Sequence, residues 1–225
     1  MITYLIVTYL ASLLVHKAPV PTYPAPIIAP AMLERVKGFT VLISNEGLEG
    51  VSRGTGVLID ATHVLTCAHM ITAYSQPWVY TYPVHRVILV KNISFVDREH
   101  DVAIFELAHP VLIKHYATFS SSTTIGQPIV VVGNTLGLML WFTSYGIISE
   151  KEFFYDLTTA TIHGGNSGGP WVNLHGDVVA LTDWGMQNAK GQEEQVSGGI
   201  NGETLIADIK AFKHPQSLLE MLLGQ

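Results

Sequence analysis

A chain of 225 residues with 48% hydrophobic and only 13% charged residues has the apolar content for a substantial core, which excludes an intrinsically disordered protein. A formal net charge of -6 lacks the basic footprint that nucleic-acid binding needs, so no nucleic-acid partner is expected. The single cysteine, Cys67, excludes an intramolecular disulfide, and the fold must rest on its core alone.

In chain order, Met1 to Val15 is strongly apolar and is followed by His16-Lys17. The run is shorter than the roughly 20 residues of a membrane-spanning helix and lacks the basic start of a secretory signal. Two readings stay open. Residues 1–17 form a signal or membrane anchor, with possible membrane association and an extracytoplasmic location, or their Thr, Tyr, Ile and Val content adds a strand to a barrel. Residues 18–34 read as a Pro-rich linker, because five of the eleven prolines fall between Pro19 and Pro30 and enforce an extended connector.

Residues 35–117 read as a first β-barrel, with a strand from Phe39 to Ser44, a turn at Asn45-Glu46-Gly47, and short punctuated strands through Leu107. Gly54 and Gly56 mark a barrel bend or a close backbone approach. Asp60-Ala61-Thr62 turns a hairpin that delivers Val64-Leu65-Thr66 and then His69, while Asp101 stands at the start of the strand Val102-Ala103-Ile104-Phe105. Cys67 reads as a small buried thiol rather than a nucleophile.

Ala108 to Ile125 crosses to a second barrel within residues 118–225, with Ser120-Ser121-Ser122-Thr123-Thr124 as its polar part. Its strands are Ile129 to Val132, Tyr145 to Ile148, Phe153 to Thr159, Trp171-Val172 and Val178 to Thr182, with a hairpin turn from Asn173 to Asp177. Thr204 to Phe212 and Ser217 to Leu223 have helical apolar spacing, separated by Pro215. No internal repeat is visible. His163 and His175 have no cysteine partner and no H-E-x-x-H pattern, so no metal and no cofactor are expected.

Gly165-Asn166-Ser167-Gly168-Gly169-Pro170 sets one hydroxyl among glycines. Serine is a weak nucleophile that needs a neighbouring base and preorganised donors for the oxyanion it creates, and glycine lets a carbonyl approach those donors. His69, Asp101 and Ser167 follow one known chain order for a triad. The same stretch satisfies G-x-S-x-G, but a nucleophile elbow continues into a helix, and Gly168-Gly169-Pro170 breaks one.

On these residues, together with Gly54-Thr55-Gly56-Val57-Leu58-Ile59 and Val132-Gly133-Asn134-Thr135-Leu136-Gly137, the chain resembles the trypsin-like serine proteases of the chymotrypsin fold, most closely the HtrA (Deg) group. The resemblance implies an all-β fold of two six-stranded antiparallel β-barrels with a C-terminal helix, His69 and Asp101 on the first barrel and Ser167 on the second. After Leu223 it leaves no room for the PDZ domain of that group. It implies a serine endopeptidase acting on a polypeptide through an acyl-enzyme: Ser167 attacks, His69 carries the proton and Asp101 orients the imidazole. The stretch Gly165, Asn166 and Ser167 would form the oxyanion hole, through the N–H groups of Gly165 and Ser167.

The resemblance also places substrate at Thr161, Ile162, His163 and Gly164, and along Thr182, Asp183, Trp184 and Gly185, whose main chain would pair with it. The uncharged wall of Thr161 and Ile162 suggests a small or medium aliphatic residue before the scissile bond, unless an inward His163 favours an acidic one. Asp183 stands where the family usually has a small hydroxyl residue: it turns outward, shares a proton with Asp101, or assists His69. Two other readings remain, a catalytically silent binding module and a serine esterase. A disulfide-free chain of this kind suits a prokaryotic or viral source.

Overall fold

The computed structural model describes residues 28–47, 50–71, 76–82, 84–187 and 193–214. A short helix, α1 (Pro30–Phe39), leads into β1 (Thr40–Gly47), β2 (Gly50–Leu58), β3 (His63–Cys67), β4 (Trp78–Thr81), β5 (Val87–Asp97) and β6 (Val102–Leu107). These close into an antiparallel barrel in the order β1-β2-β3-β6-β5-β4. The second barrel is built from β7 (Pro128–Thr135), β8 (Met139–Lys151), β9 (Tyr155–Thr158), β10 (Pro170–Val172), β11 (Val178–Gln187) and β12 (Glu193–Asn201), followed by helix α2 (Gly202–Lys213). Its ring, β7-β8-β9-β12-β11-β10, repeats the order of the first. The repetition is one of strand connectivity, which many alternating sequences satisfy, so no sequence repeat accompanies it.

The all-β, two-barrel fold class is as expected. β5 runs exposed, buried, exposed, buried from Val87 to Val90, the period of a strand with one face on a core. β3 and β6 are buried nearly throughout, and Val64, Leu65, Ile104 and Phe105 expose no surface. One core cluster joins both barrels, with Val41, Val57 and Leu65 of the first packed with Val130, Val172 and Leu181 of the second. Buried polar ties fix the barrels on each other: Asn134 Nδ2 donates to the Val41 carbonyl at 3.1 Å and Trp141 Nε1 to the Thr40 carbonyl at 2.8 Å.

Some expectations shift. The C-terminal part of the 18–34 connector is helical, since Pro30 occupies the first turn, where its missing N–H costs nothing, and Met32, Val36 and Phe39 bury one face. Asn45-Glu46-Gly47 belongs to β1 and pairs with Val51 and Ser52 instead of turning. β8 runs for 13 residues, far beyond Tyr145 to Ile148, because it pairs with β7 from Met139 to Ile147 and with β9 from Ile148 to Lys151. β9 is shorter than Phe153 to Thr159. Gly54 and Gly56 are close approaches, since a Cβ would lie 2.5 Å from Met70 Sδ and from Val64 Cγ1, respectively. The 1–17 segment and the second helix, Ser217 to Leu223, lie outside the described residues.

Candidate active site

His69 follows β3 on a single 3-10 turn, Ala68–Met70. Asp101 grips that turn at three points: its carbonyl accepts from Ala68 N at 2.8 Å, Oδ1 accepts from His69 N at 2.7 Å, and Oδ2 lies 2.5 Å from His69 Nδ1. Asp101 sits at φ 58 between β5 and β6, a left-handed conformation that aspartate tolerates better than most residues. With Nδ1–H donated to Asp101, Nε2 is left as the acceptor. The Asp101 hydrogen bond, opposed by burial, raises the pKa of His69. Burial works to raise Asp101, but the bond to His69 and its charge prevail and lower it.

Asp183 does not turn outward. β11 pairs Thr182 with Gly199 and Trp184 with Gly198, so Asp183 is the extra residue of a β-bulge, a device that re-aims a side chain. Asp183 Oδ1 lies 3.8 Å from His69 Nδ1. Burial and the neighbouring Asp101 carboxylate push Asp183 up to about 6, against the charge of His69 and the nearby Tyr155 hydroxyl of β9. Burial, with the charge of Asp183, in turn pushes the Tyr155 hydroxyl to about 12. Tyr155 carries no sequence signal, since its place beside Asp183 depends on the β9–β12 pairing.

Ser167 lies in a loop closed by its own backbone. Gly165 and Gly168 have φ 92 and 78, where a side chain is strained, and a Cβ on Gly168 would also strike the Thr55 carbonyl. Thr55 N donates to the Ser167 carbonyl at 2.8 Å and Thr55 Oγ1 to the Gly165 carbonyl at 2.8 Å, tying the loop to β2. Leu136 N holds the Gly164 carbonyl at 2.6 Å, which fixes that peptide plane and points the Gly165 N–H the opposite way. The N–H of Asn166 is spent on the His163 carbonyl at 3.1 Å, and its buried amide oxygen accepts from Thr135. Asn166 therefore braces the loop, and its N–H is no oxyanion donor. Ser167 Oγ reaches the Asp183 carbonyl at 3.4 Å; among the described residues it has no bond to His69.

Ile162, His163, Gly164, Ser167, Thr182, Asp183, Trp184 and Gly185 line one small cleft of about 150 Å³. Thr161 is not among them: it is exposed, and its carbonyl takes the Ser144 hydroxyl at 2.7 Å. Thr182 is 1% exposed and its hydroxyl accepts from Trp171 Nε1 at 2.9 Å, so the side chain supports the wall from behind. Cys67 is fully buried with its thiol on the Thr182 carbonyl at 3.2 Å, and burial pushes its pKa well up, which makes it inert as a nucleophile.

The model of the trypsin-like peptidase domain matches residues 54–181, more than half of the chain. The chain belongs to that family. It is 28% identical over 176 residues to the Do-like serine protease HtrA of Lactococcus lactis subsp. cremoris, covering 69% of this chain and 42% of that protein. It is 27% identical over 142 residues to the DegP-like periplasmic serine endoprotease of Hahella chejuensis, covering 59% and 30%. The crystal structure of the serine endoprotease from Yersinia pestis superposes with a TM-score of 0.70 at 22% identity, over 84% of this chain and 67% of that one, which shows the chymotrypsin-like fold. The chain thus spans less than half the length of these two curated relatives.

Proposed function

We propose that this trypsin-like peptidase is an active serine endopeptidase that cuts polypeptides through an acyl-enzyme. The observation that carries the reading is the three-point grip of Asp101 on the His69 turn, which selects the Nδ1–H tautomer and leaves Nε2 as a base. In the reaction Ser167 Oγ leaves its long contact with the Asp183 carbonyl and gives its proton to Nε2, since catalytic hydrogen bonds often tighten only when substrate closes the site. The Gly165 and Ser167 N–H groups hold the oxyanion, each donor contributing about 3 to 4 kcal/mol to the transition state. Full-length chain incubated with casein should give internal cuts, and purified chain that releases no fragments would reject the reading.

In the cleft, Ile162 supplies an apolar wall and is 5% exposed. A lysine or arginine entering it would meet no carboxylate on the Ile162 wall, and that of Asp183 is engaged 3.8 Å from His69 Nδ1, so the desolvated charge would be costly. Cleavage of a proteome-derived peptide library is expected to favour Val, Ala or Leu before the cut. A dominant Lys, Arg, Glu or Gln would contradict this, and Glu would assign His163 the inward role.

The bond to Asp101 does most to raise His69 and so to place the acid limb of the pH profile, and Asp183 adds to it. Catalysis needs neutral His69, and an ionised Asp183 beside it stabilises the imidazolium and raises its pKa. Above about pH 6 Asp183 is ionised, so Asp183→Asn removes that pull and moves the rise of kcat/KM to lower pH. A limb that stays in place, or moves to higher pH, in the variant would show that the bulged carboxylate does not act on His69.

Residues 1–17 are proposed to direct the protein to or across a membrane; among the described residues no helix is long and apolar enough to span one. Fractionation of cells making the full-length chain tests this, and unprocessed protein confined to the cytosol would favour the strand reading.

A further inference from the structure

Helix α2 begins at Asn201, whose Oδ1 accepts from Thr204 N at 3.1 Å, and this cap sets which face is buried. That face carries Thr204 and Leu205 and then, where an amphipathic helix calls for an apolar residue, Asp208. Asp208 is 6% exposed, and its buried Oδ2 has no hydrogen-bond partner among the described residues. An ionised carboxylate buried in this way is costly unless something neutralises it.

Asp97, at the end of β5, and His100, in the turn that leads to Asp101, face it. Ligand-capable atoms of Asp97, His100 and Asp208 all lie within 4.8 Å of one another. Asp97 Oδ1 accepts from Glu99 N and His100 N at 2.8 and 3.1 Å, and Oδ2 lies 2.9 Å from His100 Nδ1. The His100 ring is held edge-on against Phe154 with centroids 4.5 Å apart. Two carboxylates and an imidazole thus converge, one of the carboxylates on the buried side chain of Asp208, and among the described residues Asp97 and His100 are the ionisable groups that bear on it.

We propose that Asp97, His100 and Asp208 bind one divalent transition-metal cation, zinc or manganese, which ties helix α2 of the second barrel to the turn of the first that carries Asp101. An O,O,N donor set of this kind suits those ions, whereas calcium prefers oxygen donors alone. The cation takes the place of the proton between His100 Nδ1 and Asp97 and relieves the Asp208 carboxylate, so binding releases protons and weakens in acid. In the sequence the grouping is hard to read, because its residues come from two segments more than 100 positions apart, Asp97 and His100 in one turn and Asp208 in α2. The proposal stands independently of the peptidase reading.

The test uses the full-length chain, stripped with a chelator and titrated with zinc or manganese chloride by calorimetry and by thermal unfolding, with calcium chloride as a control. The expected result is an ion held by these three residues and a melting temperature that rises by several degrees when free metal is about 100-fold above Kd. Asp208→Asn and His100→Gln should each weaken that binding at least about tenfold. The metal-free Asp208→Asn chain should melt no lower than the parent at pH 7. Asparagine removes a buried carboxylate oxygen that has no partner among the described residues. Cys67, His69, Asp101 and Asp183 also converge, in the catalytic cleft, so His69→Ala is measured in parallel and should leave the proposed site binding. Failure of either ion to bind, or binding that survives both Asp208→Asn and His100→Gln, would overturn the proposal. If Asp208→Asn does not fold, His100→Gln decides.

Discussion

Replacing Ser167 with alanine is expected to lower kcat on casein or a fluorogenic peptide by about 10⁴- to 10⁶-fold. Stability should change by no more than about 0.5 kcal/mol. Among the described residues the hydroxyl makes only the 3.4 Å contact to the Asp183 carbonyl, whereas the bonds that close the loop run through backbone atoms the substitution leaves in place, such as the Ser167 carbonyl on Thr55 N. Steady-state kinetics and thermal unfolding of the two proteins check both halves. Equal cleavage by parent and variant would reject Ser167 as the nucleophile. A large fall in melting temperature would instead mean that the side chain holds the loop.

Asp101→Asn is expected to lower kcat by about 10³- to 10⁴-fold near neutral pH, because an amide can present its N–H to Nδ1 and favour the wrong tautomer. The bulged Asp183 makes the outcome specific to this chain. Its Oδ1 lies 3.8 Å from the same Nδ1 and offers a second carboxylate to the imidazole. Asp183→Asn alone should cost less than about tenfold, while Asp101→Asn with Asp183→Asn should fall at least about tenfold below Asp101→Asn, an interaction that a double-mutant cycle resolves. If Asp101→Asn retains activity within about tenfold of the parent and the double variant does too, neither carboxylate orients His69.

Much of the architecture was legible because its signals are local. The turn residues Asp60 and Asn173 and the glycine-rich loop around Ser167 each declare their geometry within a few residues. The three candidate catalytic residues were legible for the same reason, each flanked by a strand or turn that fixes its place. What escaped depends on pairing between distant segments. The bulge at Asp183 exists only relative to Gly198 and Gly199, Tyr155 reaches Asp183 only through β9 and β12, and Thr55 braces Gly165 across 110 positions. The proline count hid α1, since Pro30 reads as a connector residue until Met32, Val36 and Phe39 are seen to share one buried face. Asp208 was invisible as anything but a polar residue in an amphipathic helix until its oxygen was found buried beside Asp97 and His100.

The central claim is that His69, poised by Asp101, activates Ser167. The most direct measurement is to treat the full-length chain with a fluorophosphonate and map the adduct by peptide mass spectrometry. The account predicts a single modified serine at Ser167, with labelling abolished in His69→Ala and in heat-unfolded protein. An adduct on another residue, or undiminished labelling of Ser167 in His69→Ala, would contradict it.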